Sequence, residues 1–406
     1  MAVHARMCAD AGEGAGTPLD RPEPRQHIRS GIIQIALAWL LGRFVVTALS
    51  PVGVLSFWPG DWYHWDAFNY LSISAAGRTF GICGTPGFPK GFLPVHWCGT
   101  AGWLPGFSYA IKLTSAFGID SARASVIIPA LFTLGILAVA WLGWTRHVTQ
   151  WQSIAVLALI AVFPGAIYNY APFPTSLALL GIIAAALAAA KNRPGWAALA
   201  IAVAVVSYST AVFAAIGLVA AMVLSTWDQG WRAKVERAAW GLAGFASLAA
   251  LAIHDQLVLH HWNAYSLIQN QTTKTFDLPG VQTFQLIVDR TTRTQRFIGP
   301  TGAWLMSVQA VLAIALIVAG CVLGFRWWWR NGRSTLDLYP AAIGATTLLF
   351  VLSSGTGSVW HRGVVLAAPS ALAFRRLPAW AIALLAVLAG TVTAFLSSYY
   401  FKNTLG

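Results

Sequence analysis

Charge is what this sequence has least of: 10% of its 406 residues are Asp, Glu, Lys or Arg, where a soluble globular domain carries about 25%. Since 57% of the residues are hydrophobic, composition argues against a water-soluble fold. Acidic side chains are scarcest. Of thirteen, four (Asp10, Glu13, Asp20 and Glu23) fall in the first thirty residues, and Glu236 is the only glutamate beyond them. Cysteine is sparse as well, with four residues and no Cys/His cluster of zinc spacing, which counts against a structural metal. No glycine-rich nucleotide loop occurs, so a nucleotide-sugar ligand is not indicated. The N-terminus lacks the apolar core of a signal peptide, and residues 1–30 read as a disordered cytoplasmic tail.

Long apolar runs are there in quantity. Stretches of the length that crosses a hydrocarbon core recur from Gly31 to the end, separated by short polar breaks. Lipid offers the backbone no hydrogen bonds, and runs this rich in Ala and Leu are too long for barrel strands, so they must be helices. The expectation is an all-α polytopic protein in which residues 31–406 form one transmembrane domain of about eleven spans. These are placed near 32–50, 124–144, 153–170, 175–190, 195–208, 209–225, 238–256, 303–325, 337–354, 362–375 and 379–399.

Basic residues fix the expected threading. Arg146, Lys191, Arg193, Arg232, Lys234, Arg237, Arg326, Arg330, Arg333, Arg375 and Arg376 fall in alternate connections, which the positive-inside rule makes cytoplasmic, together with the N-terminus. Residues 103–118 then form a re-entrant or surface-lying helix. The long loops 51–123 and 260–302 lie on the outer side of a bacterial-type plasma membrane, and the first contains juxtamembrane helices. The net charge of +13 reads as topology and lipid contact, with no nucleic-acid site. Apart from Arg43, the spans are expected to hold hardly any charge. Trp327–Trp329, flanked by Arg326 and Arg330, read as an interfacial belt.

In so acid-poor a chain the placement of carboxylates is informative. Asp61 and Asp66 lie just after the first span, and from Asp66 the chain reads as a helix, with Phe68, Leu71 and Ile73 for packing and Gly77 as its C-cap. At the helix start the dipole favours an ionised carboxylate, able to take a proton from a hydroxyl nucleophile. The plainer role is a cap. Cys83 and Cys98 share the first outer loop and form either a disulfide or two free thiols. Arg43, inside the first span, either snorkels to the outer surface or meets a phosphate or carboxylate.

The stretch Trp65-Asp66-Ala67-Phe68-Asn69-Tyr70-Leu71-Ser72-Ile73-Ser74-Ala75-Ala76-Gly77 resembles the W-D-x-x-x-Y-x-x-I-A-x-x-G-Y signature of PIG-V-like mannosyltransferases, the group that includes the second mannosyltransferase of GPI-anchor assembly. The segment from Gly102 to Leu113, with Pro105 and Lys112, is similar to the family's F-F-P-L-Y-P-L-L-I-R-L. Trp262 to Gln269 stands where the family has a polar segment ending in F-x-x-x-Q, and Ser353 to Arg362 where it has S-x-x-R-Y. Ser108, Phe173-Pro174-Thr175, Tyr208 to Ala211 and Gly363 depart from its pattern.

The resemblance implies a GT-C glycosyltransferase that moves a hexose, mannose, from a polyprenyl-phosphate donor to a lipid or glycan acceptor at the extracytoplasmic face. Asp66 is the candidate base and Asp61 a second catalytic candidate. Arg362, which can grip phosphate bidentately, is the candidate donor site, with His361 and His64 assisting; its plainer role is an interface anchor. Tyr70 and Gln269 are substrate-binding candidates. No cofactor is indicated, and two carboxylates on one short segment are too few to assert a divalent ion. The competing reading is a transporter or flippase for a lipid-linked or small polar substrate, which would place paired charges near the bilayer midplane and break several spans.

Overall fold

The computed structural model describes residues 24–64, 66–88, 96–272, 278–281, 284, 293–330, 332–354 and 361–402. Residues 1–23 of the expected tail, Trp65 of the signature and the middle of the late motif at 355–360 lie outside them. Helix α1 runs Pro24–Thr47, so the tail reading fails for residues 24–30, which are helical. No proline or other helix breaker separates residues 25–30 from the apolar run that follows, so the helix propagates backwards to Pro24, whose fixed φ suits a first turn.

Among the described residues, six helical stretches are long and apolar enough to cross a membrane: Ile28–Thr47, Ser121–Thr145, Trp231–Leu259, Thr301–Arg330, Thr335–Ser353 and Ala379–Phe401. Four shorter apolar helices pack with them: α6 (Gln150–Ala161), α8 (Thr175–Ala190), α9 (Pro194–Ser207) and α10 (Thr210–Leu224). The molecule is thus an integral membrane protein dominated by helices. The second long stretch is α5 (Ser121–Ala140) closed by a π turn, Trp141–Thr145. The third is α11 (Trp231–Ala243) followed by α12 (Ala246–Leu259). The last three lie in α14 (Arg293–Arg330), α15 (Thr335–Ser353) and α16 (Ala379–Phe401).

Two expected spans take other forms. The run drawn over 153–170 stops at Ala161, where Pro164 has no N–H to donate and Gly165 turns at φ +87°, and resumes as one turn, α7 (Ile167–Tyr170). A Cβ on Gly165 would lie 2.3 Å from the carbonyl oxygen of His361, so only glycine allows this approach. Residues 362–375 were expected as an α-helix, yet Val364–Arg376 is a 3-10 helix with almost every side chain buried. Pro369 removes an internal donor there, and the longer rise of about 2.0 Å per residue lets thirteen residues reach about 26 Å.

Residues 51–123 hold short elements: α2 (Pro59–Trp62), α3 (Ala67–Ala76) and α4 (Gly106–Ser115). At ten residues, α4 is about 15 Å long and cannot cross a bilayer core of about 30 Å. A two-residue ladder that sequence did not foresee pairs β1 (Gly81–Ile82) antiparallel to β2 (Trp97–Cys98), and Cys83 and Cys98 are joined beside it as a disulfide. Helix α13 (Ala264–Thr272) lies against β2 and the turn Thr100–Gly102, tied by Gln269 to the carbonyl of Gly102 and by Gln271 to the N–H groups of His96 and Trp97.

Two expectations about charge need correction. Arg43 does not snorkel. It is fully buried, donating to the carbonyls of Val54 (2.9 Å) and Ser56 (2.7 Å), with Trp62 and Phe57 rings at 4.5 and 4.9 Å. The nearer attraction of backbone carbonyls and aromatic faces in the turn after α1 removes any need to reach water. The spans also carry more charge than expected, since buried Asp255 and Asp337 sit in α12 and α15, paired with Arg78 and with Arg375 and Arg376.

Candidate functional site

Asp66 stands at the N-cap position of α3 but does not cap it. Its backbone carbonyl accepts from Asn69 and Tyr70, while its side chain makes no capping hydrogen bond. The carboxylate Oδ2 instead lies 2.5 Å from Nη1 of Arg362, 296 positions away. Both side chains keep some contact with the exterior, at 28% and 15% exposure, so the pair is reachable by a ligand, unlike the sealed pairs elsewhere in the fold.

Aromatic rings build the walls. The Arg362 guanidinium lies 5.4 Å from the centroid of Phe173 and 5.6 Å from that of Tyr168, a placement in which ring quadrupoles favour a cation. Tyr168 is delivered by α7 and Phe173 by the turn before α8, so the break in the chain at 162–166 is what brings two rings beneath the arginine. Tyr70, on the buried side of α3, sets its edge against Phe107 at 5.6 Å and Phe173 at 6.4 Å. Burial, and after it the charge of Asp66, holds the Tyr70 phenol well above its ordinary pKa. It is a neutral hydroxyl at any working pH.

The two histidines join the same cluster. His361 is buried, with its ring 5.4 Å from Tyr168. His64 sets its ring edge-on to Tyr400 at 4.8 Å; Tyr400 packs on Tyr168 and donates to the carbonyl of Trp62 at 2.8 Å. The end of the last helix thereby becomes a wall of the site. Five of the residues proposed from sequence, Asp66, Arg362, His361, His64 and Tyr70, are thus drawn into one aromatic enclosure.

The remaining proposed residues take other places. Asp61, on α2, accepts from the Ser56 hydroxyl at 2.9 Å, in the turn that Arg43 clamps. Gln269 spends its amide N–H on Gly102. Phe68, expected to pack inward, is 58% exposed; α3 buries Ala67, Tyr70, Ile73 and Ser74. No cluster of three or more His, Cys, Asp or Glu suited to a metal occurs among the described residues.

Sequence reading missed Tyr168, Phe173 and Tyr400 as parts of the site. Phe173 lies in one of the segments that departs from the family pattern, so local departure was itself a signal. Tyr168 and Tyr400 carried none, because aromatics near the ends of apolar runs are ordinary.

A carboxylate beside a guanidinium, floored by neutral aromatics and open on one side, suits a defined chemistry. The carboxylate can receive a proton and the guanidinium can hold an anion.

No protein-family model matches this chain, and no curated protein matches it. Among solved structures, it is similar to the oligosaccharyltransferase of Archaeoglobus fulgidus. In the complex with zinc and sulfate the match has a TM-score of 0.54 at 15% identity, covering 90% of this chain and 53% of that one. In the apo form the TM-score is 0.53 at 12% identity, covering 93% and 56%. This chain thus spans about half the length of that enzyme. The likeness shows a shared fold.

Proposed function

We propose that this chain is a GT-C-type transferase that moves a hexose, mannose on the PIG-V-like resemblance, from a polyprenyl-phosphate donor to a lipid or glycan hydroxyl. The observation that carries the reading is the 2.5 Å contact of Asp66 with Arg362 at a partly open, aromatic-lined end of the bundle. In the reaction, Asp66 takes the proton of the acceptor hydroxyl as its oxygen attacks the anomeric carbon. The bond from that carbon to the phosphate oxygen breaks, and the electron pair leaves with the polyprenyl phosphate. Arg362 meets the charge that grows on the phosphate. A guanidinium has five N–H donors in one plane, so it can turn from the carboxylate to a phosphate and release the Asp66 oxygen for proton transfer. Binding of donor before acceptor follows from that exchange. One base and no covalent partner give inversion at the anomeric carbon, and the fold shared with an oligosaccharyltransferase supports the class of chemistry.

The transporter reading gains one feature, the broken helix at 162–166, but the break serves the wall of this site. Asp337 is the third residue of α15, and Asp255 lies near the end of α12. Paired charge therefore gathers at helix ends, away from the midplane where a conduction pathway would need it.

The test is a transfer assay in proteoliposomes with labelled polyprenyl-phosphate mannose and a lipid extract as acceptor. The expected result is a labelled product of inverted configuration together with free polyprenyl phosphate. Movement of label across the vesicle wall with no product would instead establish the transporter reading.

A further inference from the structure

Asp66 precedes α3, and the far end of that helix is held by a second ion pair. Gly77 turns at φ +80°, in the left-handed region that glycine favours, and folds Arg78 back into the protein. Arg78 there pairs with the Asp255 carboxylate of α12 and donates to the carbonyl of Ala101. The two side chains are almost sealed, at 1% and 2% exposure. His254, 43% exposed, places Nδ1 3.3 Å from the same carboxylate.

Helix α12 makes the pair unusual. Asp255 is the one residue it buries, while Ile253, Leu257 and Val258 face outward. Beside the partly buried Leu248 and Leu259 that also pack on the bundle, this apolar helix therefore buries one side chain fully, and it is a carboxylate. Stability is a poor explanation, because desolvation of a buried pair offsets most of its attraction and well-packed apolar residues do as well or better. Direction is a better one, since guanidinium and carboxylate meet in few geometries.

We infer that Arg78 and Asp255 are positioning residues, which fix the C-terminal end of α3 and through it the direction in which Asp66 meets Arg362. The kinetic part of this inference rests on the transferase reading. With ten residues, α3 is about 15 Å long, so a tilt of about 4° at Arg78 displaces Asp66 by about 1 Å. A misplacement of that size can lower a rate by about 10²-fold.

The test replaces the pair by apolar residues of similar size, Arg78→Met with Asp255→Leu, a change that buried pairs commonly tolerate. It is made in full-length protein with Cys8→Ser and Cys321→Ser and a spin label on Ser72→Cys, an exposed position of α3. The expected outcome is a thermal midpoint close to that of the parent, kcat lower by about tenfold or more, donor KM changed less than about threefold, and a more mobile label. If the double variant does not fold, Asp255→Asn, which keeps shape and an acceptor oxygen, is read in the same two ways. A folded variant with parental kcat overturns the inference. If the parent transfers no sugar, the transferase reading has failed, and the label alone decides: an unchanged spectrum then overturns the positioning role.

Discussion

An aspartate at the start of a helix ordinarily accepts from the backbone N–H two or three residues on. Asp66 gives its carboxylate to Arg362 instead, so losing its charge costs α3 no cap. The arginine is expected to contribute in both ground and transition states, because a phosphate is charged in each. Arg362→Ala should raise donor KM and lower kcat, with kcat/KM falling about 10²-fold or more. Arg362→Lys keeps the charge but loses the planar fork and should fall between. Steady-state kinetics over donor concentration checks this, and Arg362→Ala at parental efficiency would remove the arginine from the site. Both partners were legible in the sequence because acids are so few and because an arginine at the mouth of an apolar run needs a reason. Their contact was not, as nothing local links positions 296 apart. Asp255 and Asp337 escaped notice for the opposite reason: a single carboxylate near the end of an apolar run passes for a boundary until its buried partner is seen.

At the scale of elements, the site is built by interruptions. Periodicity shows where apolar helices lie, and α8, α9, α10 and α16 fall close to the spans drawn for them. It does not show where a continuous apolar run stops being helical. Pro164 and Gly165 break one run to deliver Tyr168, and Pro369 with its small neighbours turns another into a 3-10 helix. The turn after α1 is shaped by Arg43, whose bonds to Val54 and Ser56 hold the segment that leads to Asp66. The β1–β2 ladder is too short to stand alone, and the Cys83–Cys98 disulfide, with a separation of 15 residues, closes it at a gain of about 3 kcal/mol on the chain-entropy model. Cys83→Ser with Cys98→Ser should therefore lower the thermal midpoint, and non-reducing peptide mapping of the parent should recover the two cysteines in one linked peptide. Free thiols at both positions in fresh membranes would contradict the pairing.

For the whole molecule, charge asymmetry predicts an outer face that carries 51–123 and 260–302 and an inner face that carries 326–333. Thr85→Cys should react with an impermeant thiol reagent in intact cells and Gly332→Cys should not; labelling of the latter would reverse the threading. The two charged members of the site come from residues 51–123 and from the residues before the late 3-10 helix. The central claim is that Asp66 is the base of a sugar transfer to a hydroxyl. Its most direct test compares parent and Asp66→Asn in the proteoliposome transfer assay, with donor binding measured in parallel. Asn preserves size but cannot take the proton, so transfer should fall by about 10²–10⁴ while the protein stays folded and still binds polyprenyl phosphate. Transfer by Asp66→Asn at close to the parental rate would contradict the account.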